Sequence, residues 1–162
     1  MTAKYGFRVV VDVYEKRPFG LAWGDFAGVE RAALSVGDYS IVGLEGEFAI
    51  ERKSVDDLAN CVDCDRERFQ DQVRRLACLL CGVVVIEGDV GDVLARRYHS
   101  GVHPHSVLGT AMGWQVTYGV PFLFAGKGAG AVKITTALLA NYWRRHLRES
   151  LRAVPVESAA CA

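Results

Sequence analysis

Apolar and polar residues along the chain alternate with two different periods, and the switches between those periods mark the elements. "FRVVVDVYE", residues 7–15, is valine-rich and predicts a first strand, stopped by Pro18 and Gly20 in "KRPFG". "VERAALSVGDYSIVGLEGEFAIERK", residues 29–53, predicts further strands broken at Gly37 and at the turn "LEGE". Phe69, Val73, Leu76 and Leu80 recur at helical spacing, so "SVDDLANCV" and "DRERFQDQVRRLACLL" read as helices. Ser54 is the N-cap of the first, with Asp57 at N3 as in a capping box. "GVVVIEG", residues 82–88, is short and apolar throughout, which predicts a strand buried on both faces. A polar helical stretch, "DVGDVLARRY", and a helix beginning at "HPHSVLGTAMGW" follow. "YGVPFLFAG" is a last strand and "AVKITTALLANYWRRHLRESLR" a long amphipathic helix. The sum is a mixed α/β domain over residues 1–152, a central sheet flanked by helices, with a frayed tail over 153–162.

Composition narrows this further. With 162 residues, 51% hydrophobic and 23% charged, the chain fits one domain with a core of its own and leaves no room for a second. It has no run of about 18 apolar residues and no apolar leader at its start, so a soluble, cytoplasmic chain without a membrane partner is expected. A formal charge of zero argues against a DNA-coating protein, but basic residues are clustered. "RERFQDQVRR" carries four arginines, and Arg144, Arg148 and Arg152 form one stripe on the last helix, either a solvated face or a set of phosphate contacts. On the same helix Ile134, Leu138, Leu139, Tyr142 and Trp143 make an apolar stripe wider than one sheet contact needs, which predicts a homodimer.

Three motifs lose their chemistry in context. Cys61, Cys64, Cys78 and Cys81 have zinc-like spacing, but an unbroken helix between the two pairs would hold them about 20 Å apart, so no structural zinc is expected. "GKGAGA" matches a dinucleotide fingerprint, yet no second strand or ribose-binding acid follows, so no nucleotide cofactor is expected. His99, His103 and His105 fall in a Gly- and Pro-containing loop and read as solvated.

The charged end of a strand, "FAIERKSVDDL", carries the functional argument. Side chains alternate along a strand, so Glu51 and Lys53 share a face about 6–7 Å apart while Arg52 points away. "VGDYS" supplies Asp38 thirteen residues before Glu51, an interval long enough for a hairpin to bring the two carboxylates together. Two carboxylates and a backbone carbonyl are a sufficient hard-oxygen set for magnesium beside a phosphate, and a lysine there can orient water or offset developing charge. Asp12 and Asp57 are expected at the same end of the sheet.

These residues also carry a resemblance. "VGDYS" followed by "IERKSVDDL" resembles the G-D and E-R-K-x-x-x-D elements of the XPF-type structure-specific nucleases, with "VVVDVYEKRP" standing where that family has V-D-x-R-E. The resemblance implies a restriction-endonuclease-like fold of the PD-(D/E)xK superfamily, magnesium or manganese as cofactor, and branched DNA as substrate. It implies Asp38, Glu51 and the Arg52 carbonyl as metal ligands, Lys53 as the catalytic lysine, and Asp12, Glu15, Arg52 and Asp57 as supporting charges. Tyr14 stands where the family has arginine, and the tandem helix-hairpin-helix module is missing, which points to a stand-alone bacterial or phage form. The competing expectation is a catalytically silent DNA-binding or scaffolding subunit, against which the complete acid and lysine set argues.

Overall fold

The computed structural model describes residues 3–153, so the tail expected over 153–162 lies outside it except for its first residue. Six strands, β1 (Arg8–Asp12), β2 (Gly28–Ala32), β3 (Tyr39–Ile41), β4 (Phe48–Ser54), β5 (Cys81–Glu87) and β6 (Phe122–Phe124), form one sheet in the order β2-β1-β3-β4-β5-β6. Only β3 runs against its neighbours, and the pairs β1/β2, β4/β5 and β5/β6 are parallel. The consequence is that the carboxyl ends of β1, β4 and β5 and the amino end of β3 all meet at one end of the sheet.

Five helices cover the two faces: α1 (Val55–Asp63), α2 (Arg66–Ala77), α3 (Val90–Leu94), α4 (Pro104–Tyr118) and α5 (Ala129–Ala153). Ala49, Val84 and Ile86 pack with Leu58, Phe69, Val73, Leu76 and Trp114 from α1, α2 and α4. On the opposite face Val9, Val11, Tyr39, Phe48, Ile50, Val83 and Val85 pack with Leu139 and Tyr142 of α5. Five consecutive residues of β5, Gly82 to Ile86, are buried, as expected for a parallel strand covered on both sides. The capping box forms as expected: the Ser54 hydroxyl accepts from the Asp57 amide at 3.0 Å while the Asp57 carboxylate accepts from the Ser54 amide at 3.2 Å.

Two expectations change. The helix expected over "DVGDVLARRY" stops at Leu94, because Arg96 enters the left-handed region at φ 52° and the Arg97 and Arg96 amides donate to the Asp92 and Val93 carbonyls at 2.9 and 3.0 Å. That pairing is a Schellman termination. The apolar stripe of α5 is also spent within the molecule. Leu139 and Tyr142 are buried, Ile134, Leu138 and Trp143 pack against the same cluster, and the Trp143 ring lies 5.5 Å from that of Phe7. The N-terminal aromatic residues widen the surface that α5 must cover, so the stripe gives no separate ground for a dimer.

Gly37 sets up the functional end. Its φ is +83°, and a Cβ there would come within 2.9 Å of the Ala49 Cβ. Left-handed backbone costs a non-glycine residue about 1–2 kcal/mol, and overpacking adds a similar amount. Gly37→Ala is therefore expected to lower stability by about 2–4 kcal/mol. Urea unfolding checks this, and an unchanged midpoint would show that the turn is not under this constraint.

Candidate active site

Because β3 is only three residues long, its ladder with β4 reduces to the pair Tyr39↔Ile50, leaving the next β4 amides without a strand partner. Asp38 fills the gap. Its amide donates to the Ile50 carbonyl at 2.8 Å, and its Oδ2 accepts from the Arg52 amide at 2.7 Å. The carboxylate thus continues the sheet and is fixed beside the end of β4, as the interval between Asp38 and Glu51 led one to expect.

Glu51 is 1% exposed, an unusual position for a carboxylate. Lys53 Nζ bonds Oε1 from the same face of β4, and Gln72 Nε2 of α2 donates to Oε2 at 2.5 Å. The Lys53 ammonium also lies 5.1 Å from the centre of the Phe69 ring. Gln72 was not foreseen. It adjoins Val73 within the run Phe69, Val73, Leu76 that seats α2 on the sheet, so its neighbourhood was readable from spacing, but its partner depended on how α2 docks.

The electrostatics follow from burial and like charge. Burial pushes the Asp38 carboxyl up to about 7, helped by the Glu51 charge and opposed by the Arg52 amide and Lys53. Burial also raises Glu51 against the pull of Lys53. Lys53 is itself raised, since the attraction of Glu51 outweighs a desolvation that alone would lower it. Asp38 and Glu51 thus resist ionisation, chiefly through burial, beside a lysine that holds its proton, and such a cluster of perturbed groups marks a candidate functional site.

Arg52 occupies the other face and serves the framework. Its guanidinium donates to Glu87 at 2.5 Å, to the Arg17 carbonyl at 2.7 Å and to Glu15 at 3.4 Å, and lies 4.6 Å from the centre of the Phe19 ring. Glu87, at the end of β5, was another partner missed from sequence. Asp12 turns its carboxylate to the Leu34 and Tyr14 amides at 2.9 and 3.1 Å, and only its own amide meets Asp38, donating to that residue's carbonyl at 2.8 Å. Asp57 is engaged by Ser54. Asp12, Glu15, Arg52 and Asp57 therefore hold backbone and loops around the pair Asp38 and Glu51. Arg144, Arg148 and Arg152 lie elsewhere: α5 starts after β6 at the functional end, and near Arg144 its Tyr142 hydroxyl already reaches Glu47, just before β4, at 3.2 Å. From there to Lys53 is the length of β4, roughly 20 Å.

The cysteines also have a structural account. The unbroken helix expected between the two pairs is α2, and burial pushes the Cys61 thiol up to about 11. Asp92, 3% exposed, is bound by Arg97 at 2.9 Å and Lys127 at 3.3 Å, so the lysine of "GKGAGA" ties the start of α5 to α3.

Asp38 gives a pH prediction. An acid whose folded pKa lies above its unfolded value binds more protons folded than unfolded, so stability falls as pH rises between those values, here about 4 to 7. Without added metal the Tm should fall from pH 5 to pH 8, and Asp38→Asn should flatten the profile and raise Tm at pH 8 by on the order of 5 °C. A variant profile parallel to wild type would mean another group is responsible.

Comparison with solved structures finds the same fold. XPF from Aeropyrum pernix aligns with TM-score 0.69 at 24% identity over 93% of this chain and 66% of that one. A second structure, XPF from Aeropyrum pernix in complex with DNA, aligns with TM-score 0.65 at 24% identity over 93% of this chain and 68% of that one. The present chain thus spans about two thirds of each. No curated protein matches by sequence. The fold is restriction-endonuclease-like, and no described helix is long and apolar enough to cross a membrane. The ERCC4 domain matches residues 24–138, a stretch that includes Asp38, Glu51, Lys53 and Gln72, and the chain belongs to the ERCC4 domain family.

Proposed function

We propose that the protein is a metal-dependent DNA endonuclease that hydrolyses phosphodiester bonds in branched DNA such as a flap, fork or junction. The observation that carries the reading is the pair Asp38 and Glu51, held at adjacent strand ends, both with raised pKa, beside a protonated Lys53. Family membership and the solved DNA complex of a protein with the same fold support it.

Among the described residues no three His, Cys, Asp or Glu side chains gather at one point, so a bound ion would rely on two carboxylates, backbone oxygen and water. That donor set suits magnesium or manganese, which keep several waters and accept phosphate oxygen. Asp38 and Glu51 would hold the ion, with the Arg52 carbonyl, which leaves the strand by the same edge as the amide bonded to Asp38. When bound, such an ion lowers the pKa of water and offsets phosphate charge. Lys53 keeps its proton near neutral pH, so it works as a cation: it orients the attacking water and stabilises charge on the phosphoryl oxygens rather than acting as a base. Gln72 fixes Glu51 by its second oxygen and so sets where the first can point.

The test is incubation with labelled flap, fork, junction and linear DNA, with and without magnesium. Wild type is expected to cut a branched substrate only with metal. Asp38→Asn should abolish cleavage and Lys53→Ala should slow it about 100- to 1000-fold, both retaining DNA binding. Lys53→Ala also strips Glu51 of its counter-charge, at a cost of about 3–5 kcal/mol, so its folding is checked alongside. Wild type that binds DNA but never cuts it would favour the scaffolding subunit, and cleavage retained by both variants would exclude this site.

A further inference from the structure

On the Arg52 side of β4 a cavity of about 590 Å³ opens between the loop after β1 and the first turn of α1, lined by Tyr14, Lys16, Arg17, Arg52, Asp56 and Asp57 among others. Its size falls within the range of about 300–1,000 Å³ typical of ligand sites. The loop that forms one wall is held from behind. Arg31 donates to the Val13 and Glu15 carbonyls at 3.2 and 2.9 Å, Arg52 to the Arg17 carbonyl at 2.7 Å, and Asp12 accepts from the Tyr14 amide at 3.1 Å. Every one of these bonds ends on backbone or on the base of the loop. The side chains of Tyr14, Lys16 and Arg17 are left exposed, Tyr14 at 80%. Among the described residues the Tyr14 ring pairs with no other aromatic or cation.

Tyr14 thus presents a large aromatic ring to water on a pinned backbone, in a cavity it shares with Lys16 and Arg17. Nor do the charges select a bare phosphate. Lys16 and Arg17 share the cavity with the Asp56 and Asp57 carboxylates, which His99 and Ser54 already engage, while Arg52 is answered by Glu15 and Glu87. What such a wall fits is a nucleotide as a whole: a face for the base to stack on and cations for the flanking phosphates. A base within a duplex cannot offer its face, so the ligand must be unpaired.

We infer that the cavity beside Tyr14 takes an unpaired nucleotide of the DNA substrate, stacked on the Tyr14 ring with its phosphates at Lys16 and Arg17. This rests on the endonuclease reading and deepens it, because it selects substrates that carry a single strand next to the cut, as flaps and forks do, over an unbroken duplex. Since Arg52 links the wall of this cavity to the strand that carries Glu51 and Lys53, a nucleotide bound here lies across β4 from the catalytic groups.

Binding is measured in EDTA, so that cleavage plays no part, using a fork with single-stranded arms and a fully paired duplex of equal length. Tyr14→Ala is expected to weaken fork binding about 5- to 100-fold and to leave duplex binding within about twofold. Tyr14→Phe and Tyr14→Trp should restore fork affinity, because stacking needs the ring and not the hydroxyl. A 2-aminopurine at the first unpaired position should report stacking with wild type and lose that signal with Tyr14→Ala. Equal losses on fork and duplex, or no loss on either, would overturn the inference while leaving the nuclease reading in place. Wild type that binds neither DNA would overturn both.

Discussion

A single buried carboxylate organises the functional end of this protein. Glu51 sits in the sheet with 1% of its surface exposed, where an uncompensated charge would cost several kcal/mol. It persists there because Lys53 comes from its own strand and Gln72 from α2. The second contact links the site to the core. Phe69, Val73 and Leu76 press α2 onto β5, and Gly82 makes that approach possible, since a Cβ there would meet the Leu76 carbonyl oxygen at 2.4 Å. Packing of α2 and orientation of Glu51 are thus one constraint seen from two sides.

Strand β4 divides its labour by the alternation of side chains. Glu51 and Lys53 face α2, while Arg52 between them faces the other way and gathers Glu15, the Arg17 carbonyl and Glu87. Phe19 supports this second side, its ring under the Arg52 guanidinium and its amide donating to the Tyr39 hydroxyl at 2.7 Å. One charged strand end therefore builds both the buried Glu51–Lys53 pair and a shaped loop, and the two stay in register because they share a backbone.

Several acidic residues that sequence places near the site have a quieter task. Asp12 and Asp57 each bind backbone amides, closing a strand end and a helix start, and a carboxylate so engaged has little left to offer an ion. The arginine stripe of α5 stands apart from these residues. Periodicity says that Arg144, Arg148 and Arg152 share a face, but not at which end of the sheet that face lies, and the parallel path of β6 carries the helix away from the end that holds Asp38 and Glu51.

What the sequence determined by itself is whatever neighbours along the chain decide. The strands, the double burial of "GVVVIEG", the capping box of Ser54 and Asp57, and the shared face of Glu51 and Lys53 all follow from spacing over a few residues, which backbone geometry enforces locally. The nearness of Asp38 to Glu51 was legible too, because a short hairpin leaves little freedom. The partners of Glu51 and Arg52 that come from afar, Gln72 at twenty-one residues and Glu87 at thirty-five, were decided only by the tertiary structure. So were the early end of α3 and the covering of the α5 stripe. These depend on how helices dock on a sheet and which edge each crossover takes, and those choices are set by the summed packing of side chains from distant segments, which no local pattern records.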